Sequence, residues 1–347
     1  MTDPALADEP ELSSSPRSWW RLLVKPALLL VVSVAVGYVI VGFVGAVDWS
    51  AVASAFARLS WWQVLPLVAV LLVRQVLNGV PLSQFVPGLS LSRSVQNDLA
   101  ANLLGTVTPP PGDVVIRVAM FKSWGVRVLD GMAGVTLNML TFYAVRLFMP
   151  SIGLMLLAIV DAESGNFGLA VLFVVLAVAI IAGLLLVLAQ ERWAVLLGRL
   201  AAQVVQRLRR EADPDEWSRT VVDFRSRVSS GLPAKLARSL LALALMVIAD
   251  ATILTLALRF TGVGADALPL LLVIGTFCTA YPLTVMPLFG FGVLDATLLA
   301  AFTEAAGLDA EPSIVAALGI WRAVTLLGTL ALGALVTLDW RRRTRKG

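Results

Sequence analysis

Asp113 and Arg117 stand four residues apart, just after three consecutive prolines, in the stretch TVTPPPGDVVIRVAMF (106–121). On a helix that spacing puts both side chains on one face, where they can pair. The guanidinium could instead turn away and grip a phosphate with its planar fork of donors. A second acid follows a second break, in MPLFGFGVLDATLLAAF (286–302), where Pro287, Gly290 and Gly292 precede Asp295. Four more charged residues, Arg74, Arg146, Asp250 and Arg322, interrupt otherwise apolar runs. The chain has no histidine, so the commonest general base and metal ligand are missing. The single cysteine, Cys278, lies in an apolar run and allows neither an intramolecular disulfide nor a cysteine metal cluster. No phosphate-binding GxxxxGK[ST] loop is present. These residue types suit the holding of charged groups rather than acid–base or nucleotide chemistry. No cofactor and no metal are expected, and the chain is read as a non-enzyme.

The elements that carry these residues follow from composition. Of 347 residues, 59% are hydrophobic and 14% charged, and the mean hydropathy is +0.87. Several apolar runs reach the ~20 residues that span a bilayer. The short alternating segments of a β-barrel are missing. The expected fold is an all-α polytopic membrane protein. Three prolines in a row exclude helix, since one in a helix interior already costs ~3 kcal/mol or more. Broken backbone at membrane depth survives only when buried in protein or lining a wet cavity. A helix starting at Gly112–Asp113 would present free N–H groups there, which attract anions.

Spans are expected near 27–46, 61–82, 129–160 with a break at Pro150, 168–189, 236–258 and 313–338. Residues 94–122 include Gln96, Asn97, Asp98, Asn102, Asp113, Arg117 and Lys122. They read as two half-helices meeting at Pro109–Gly112 rather than as a lipid-facing span. Residues 268–304 repeat the order of apolar arm, proline, glycine, acid and apolar arm. The expected plan is about six full crossings plus two re-entrant hairpins, entering from opposite faces as an inverted repeat. Parity alone also admits eight crossings. Basic residues lie before the first span (Arg17, Arg21, Lys25), in the ten of Arg192–Arg238 and in the tail RRRTRKG. They place both termini and the loop between spans four and five in the cytoplasm. Residues 1–16 read as a disordered cytoplasmic tail ahead of a transmembrane domain at 17–347. Within that domain 191–234 form an amphipathic helical hairpin on the membrane surface. Asp250 and Arg322 both fall about 14 Å from the outer surface at the helical rise, so they are expected to pair.

The chain also resembles a known family. NLLGTVTPPPGDVVIRVAMFKSWGV, MPLFGFGVLDATLLAAFTEAAGL and WRAVTLLGTLALGAL are similar to the transmembrane domain of bacterial lysylphosphatidylglycerol synthase/flippases. The family pattern is Asn, Pro-x-x-Gly-Glu-x-x-x-Arg, then Pro, Gly-x-Gly and an acid, then Arg in the final span. It falls here on Asn102, Pro109, Gly112, Asp113, Arg117, Pro287, Gly290, Gly292, Asp295 and Arg322. Both acids are aspartate where the family usually has glutamate, and the sequence ends just after the last span. The resemblance implies lipid translocation in a bacterial cytoplasmic membrane and does not imply lysyl transfer.

The function expected is the flipping of a polar phospholipid or lipid-linked headgroup through a cavity between the hairpins. Arg117 and Arg322, with the helix starts at Gly112 and Gly292, would hold phosphate. Asp113 and Asp295 would pair the arginines when the site is empty or take a cationic headgroup. The alternatives are a membrane-embedded transferase acting on a polyprenyl-phosphate or phospholipid, and a small-solute secondary transporter. The partner expected is the membrane lipid itself; a homo-oligomer and a separate lipid-modifying enzyme are compatible with it, and nothing points to nucleic acid.

Overall fold

The computed structural model of the chain describes residues 60–108, 111–160, 167–189, 231–285, 290 and 292–344. The acidic tail, the expected first span, Pro109, Pro287 and the amphipathic hairpin up to residue 230 lie outside these. Every element among the described residues is helical. They are α1 (Val64–Phe85), α2 (Leu91–Val107), α3 (Gly112–Ser123), α4 (Val128–Val160), α5 (Phe167–Ala189), α6 (Leu232–Phe260), α7 (Leu270–Ala280), α8 (Val293–Ala306), α9 (Glu311–Arg322) and α10 (Thr329–Thr344). α9 runs into α10 through a π-helical stretch, Ala323–Gly328.

Among the described residues four helices are long and apolar enough to cross a membrane: Trp61–Phe85, Val128–Val160, Leu232–Phe260 and Leu308–Thr344. They match four of the expected spans, and the 23-residue α5 lies where the fourth is expected. The outer faces are apolar, as acyl chains require. Leu65, Leu72 and Val73 of α1 and Leu172 and Val175 of α5 are all exposed. α6 is the central helix, with 61% of its apolar window buried against 28% for α1. It also takes in residues 232–234, which the sequence assigns to the surface hairpin.

Pro150 does not break its helix. α4 is continuous over 33 residues with Pro150 buried inside it, and α1 likewise contains Pro81. A single proline removes one donor, and a packed membrane helix can run through it. Three prolines give no such option. α2 ends at Thr108 in extended backbone (φ −123°, ψ 151°), the conformation a following proline imposes.

The interrupted segments are short. α2 and α3 have 17 and 12 residues, about 25 and 18 Å at the helical rise. They pack on each other, and α2 also packs on α1 and α10. In the second segment α7 has 11 residues, a 3-10 turn follows at Tyr281–Val285, and α8 has 14 residues. Close approach is possible where glycines meet. A Cβ on Gly153 of α4 would lie 2.5 Å from the Gly275 carbonyl oxygen of α7. A Cβ on Gly333 of α10 would lie 2.6 Å from the Leu99 carbonyl oxygen of α2. Small residues at such contacts let membrane helices gain dispersion energy where lipid removes the hydrophobic drive. Both broken segments are thus enclosed by long helices, which is the condition for broken backbone at membrane depth.

Candidate functional site

A cavity of about 390 Å³ lies among these helices. Four arginines line it: Arg74 from α1, Arg117 from α3, Arg146 from α4 and Arg322 from α9. A charge near the bilayer centre costs at least ~2.5–3.5 kcal/mol, so each needs compensation.

Three of the arginines are held by carboxylates. Arg74 Nη2 is 3.1 Å from Asp250 Oδ2, and Trp321 Nε1 donates to Asp250 Oδ1 at 3.2 Å. Arg117 Nη1 donates to Asp98 Oδ1 at 2.8 Å and to Asn97 Oδ1 at 2.7 Å. Arg322 grips Asp295 with two donors, Nε at 2.7 Å and Nη2 at 3.0 Å. Its guanidinium also lies 4.4 Å from the Trp321 ring centre. Arg146 is different. It stacks on Phe142 at 4.4 Å and on Tyr143 at 5.7 Å, and among the described residues no carboxylate stands within ion-pair distance of it.

Two expected pairings are therefore corrected. Asp250 meets Arg74 rather than Arg322. Depth along the helix places Asp250 and Arg322 at one level, but the rotation of α9 turns Trp321 towards Asp250 and Arg322 towards α8. Arg117 meets Asp98 across the hairpin rather than Asp113 along its own helix. An i,i+4 pair is worth only ~0.2–0.5 kcal/mol. Leaving the buried Asp98 without a counter-charge would cost several kcal/mol. Asp113 instead lies against Gly105 of α2, where a Cβ would come within 3.3 Å of its own Cβ.

Asn102, Arg117 and Arg322 from the sequence motifs line the cavity, as do Arg74, Arg146 and Asp250. Asp295 reaches it through Arg322. Gly112, Asp113, Gly290 and Gly292 support the walls without lining them. Gly112 is packed so tightly that a Cβ would fall 1.8 Å from Thr108 Oγ1. Gly292 caps α8 at φ 87°, and its N–H donates to Asp295 Oδ2 at 2.8 Å. That donor is thus engaged by the protein itself. The sequence reading did not single out Asn97, Asp98, Asn138 and Tyr281 as site residues. Asp98 carried a signal, being an acid in a membrane-depth segment whose other arm holds an arginine; Tyr281 carried none.

Five buried side-chain polar atoms have no hydrogen-bond partner among the described residues: Arg74 Nε, Asp98 Oδ2, Asn138 Oδ1, Arg146 Nε and Thr303 Oγ1. The first four belong to residues lining this cavity. Buried polar atoms are nearly always satisfied in native proteins. Four of the five thus gather around one chamber.

A chamber lined by charged side chains thus lies among helices whose outer faces are apolar. Residues 29–333 match the family described as the lysylphosphatidylglycerol synthase TM region, and the chain belongs to that family. It is an all-α, multi-pass membrane protein of a family connected with membrane lipid. No curated protein matches it in sequence.

Proposed function

We propose that this protein translocates a polar phospholipid or lipid-linked headgroup between leaflets. The headgroup passes through the arginine-lined cavity while its chains stay in lipid. The observation that carries this reading is the gathering of four arginines and four unpartnered buried polar atoms in one chamber. In this reading α2–α3 and α7–α8 are re-entrant hairpins of an inverted repeat, and both termini lie on the cytoplasmic side of a bacterial inner membrane. The protein acts as a translocator and not as an enzyme, alone or as a homo-oligomer, on lipid that a separate enzyme supplies.

Lipid carrying a quenchable fluorophore, reconstituted with the protein in vesicles, tests this. The outer-leaflet reagent should reach nearly all the label in protein vesicles and about half in empty ones. The informative variant is Asn102→Ala. The half-buried Asn102 lines the cavity, and its carbonyl, not its side chain, takes the Thr106 hydroxyl bond. Melting should stay unchanged while translocation slows several-fold. Unchanged labelling in wild-type vesicles, or new lipid product formed from added donor, would favour a transferase instead.

A further inference from the structure

The cavity also carries information on the charge of what enters it. Three of its arginines are neutralised by Asp98, Asp250 and Asp295. Arg146 leaves the set with one net positive charge among the described residues. Its stacking on Phe142 and Tyr143 stabilises a cation through the ring faces and consumes none of the five in-plane donors. Tyr281 of the second segment lines the same chamber and takes a side-chain hydrogen bond from Arg146, which leaves the other guanidinium donors, Nε among them, without a carboxylate.

Each of the three carboxylates of this set, Asp98, Asp250 and Asp295, is already paired with an arginine. An ammonium wants a carboxylate or an aromatic face. Asp250 is engaged by Arg74 and Trp321, and Asp295 by Arg322 and its own helix cap. The ring faces of Phe142 and Trp321 are covered by Arg146 and Arg322. The polar atoms that remain are two guanidinium donors, Arg146 Nε and Arg74 Nε, and two acceptors, Asp98 Oδ2 and Asn138 Oδ1. Two donors on cations suit phosphoryl oxygens, and two acceptors suit hydroxyls.

Resting on the translocation reading above, we propose that the headgroup is a hydroxylated phosphate ester of net negative charge, such as a glycerol or sugar phosphate on lipid, and that Arg146 receives its phosphoryl oxygens. The family's description names a lysyl lipid, whose headgroup carries net positive charge; the charge of this cavity selects against it.

Two readouts on the full-length protein separate this assignment from translocation itself. The first is melting in detergent with added phosphatidylglycerol, phosphatidylcholine, lysylphosphatidylglycerol or soluble glycerol 3-phosphate. Phosphatidylglycerol should raise the melting temperature by about 3 °C or more, and the zwitterionic and cationic lipids should not. Arg146→Gln should remove that shift, and Arg146→Lys should keep part of it. The second is vesicle translocation, where phosphatidylglycerol should move at least about tenfold faster than phosphatidylcholine. Stabilisation by phosphatidylglycerol without translocation would retain the anion site and overturn the translocation reading. Equal stabilisation by all three lipids, or preference for the lysyl lipid, would overturn the assignment, and neither result needs the variants to fold. Glycerol 3-phosphate matching the lipid would keep the phosphate and hydroxyl chemistry and overturn a lipid source.

Discussion

The two interrupted segments solve the same electrostatic problem in different ways. In α2–α3 the arginine of the second arm, Arg117, is neutralised by Asp98 and Asn97 of the first arm. The pair is internal, so the hairpin is electrostatically closed. In α7–α8 the second arm carries the acid, and Asp295 reaches outwards to Arg322 at the end of α9. That segment is latched to the last long helix, directly before its π-helical stretch Ala323–Gly328. Single-turn π segments in membrane and soluble helices occur frequently at functional sites. The helices that precede the two segments, α1 and α6, are themselves joined by Arg74–Asp250. The lesson is that a rigid-body displacement of α2–α3 leaves its pair intact, whereas α7–α8 can leave α9 only by breaking its latch.

The largest effect is expected from opening the closed pair. Asp98→Ala strands the buried Arg117 guanidinium and should cost about 3–5 kcal/mol of stability. Adding Arg117→Gln should return part of it; strict additivity in detergent unfolding would show that the pair is not coupled. For the same reason Arg117→Ala should destabilise the protein as well as slow transport.

Asp295→Asn should cost about 1.5–3 kcal/mol, the range of hydrogen bonds to charged groups. Asparagine still offers an oxygen to the Gly292 N–H, so the loss reports the latch and not the helix cap. Arg322→Gln on top should add little. A full second loss would mean that Arg322 is stabilised mainly by other groups.

The two breaks should differ in their tolerance of a methyl group. Gly290 has φ 72°, and a Cβ would lie 2.6 Å from the Leu283 carbonyl oxygen. Gly290→Ala should cost about 1–3 kcal/mol from backbone strain. At Gly112 the obstacle is the Thr108 hydroxyl, so Gly112→Ala should cost about 1 kcal/mol, the scale of a modest core overpacking. Thr108→Ala should relieve most of that; equal losses at Gly290 and Gly112, unrelieved by Thr108→Ala, would erase the contrast.

The smallest effect is expected at Asp113. Without Arg117 as its partner, Asp113→Asn should change stability by less than about 0.5 kcal/mol, the size of a helix-terminus charge effect. A loss beyond 1 kcal/mol, by the same measure, would restore the local pair within the first hairpin.

Much of this architecture was legible in one dimension. Apolar length identified four of the spans that the structure describes, and the proline run located the end of α2. Counting also gives relative position along a helix, since the rise per residue is constant. Asp250 and Arg322 do border one chamber. What counting leaves open is rotation. Each helix can turn about its axis without changing any depth, and only packing selects the angle. At Gly153 and Gly275 the backbones of α4 and α7 come together closely enough to exclude a side chain. Packing likewise selects the face of α9 that meets α6, and so whether Asp250 finds Arg322 or the neighbouring Trp321.

Proline shows the same division. PPP at 109–111 ends a helix in any context, because three successive residues lack the N–H that a helix interior requires. Pro150 alone ends nothing, because packing around one lost donor keeps α4 continuous. Composition, span length, the first break and the presence of intramembrane charge were decided by the sequence itself, through local sterics and transfer free energy. The pairing of Arg117 with Asp98, the latch of Arg322 on Asp295 and the seat of Arg146 on aromatic rings were decided by tertiary structure, because a buried charge takes its partner from whichever helix face packing brings within a few ångströms.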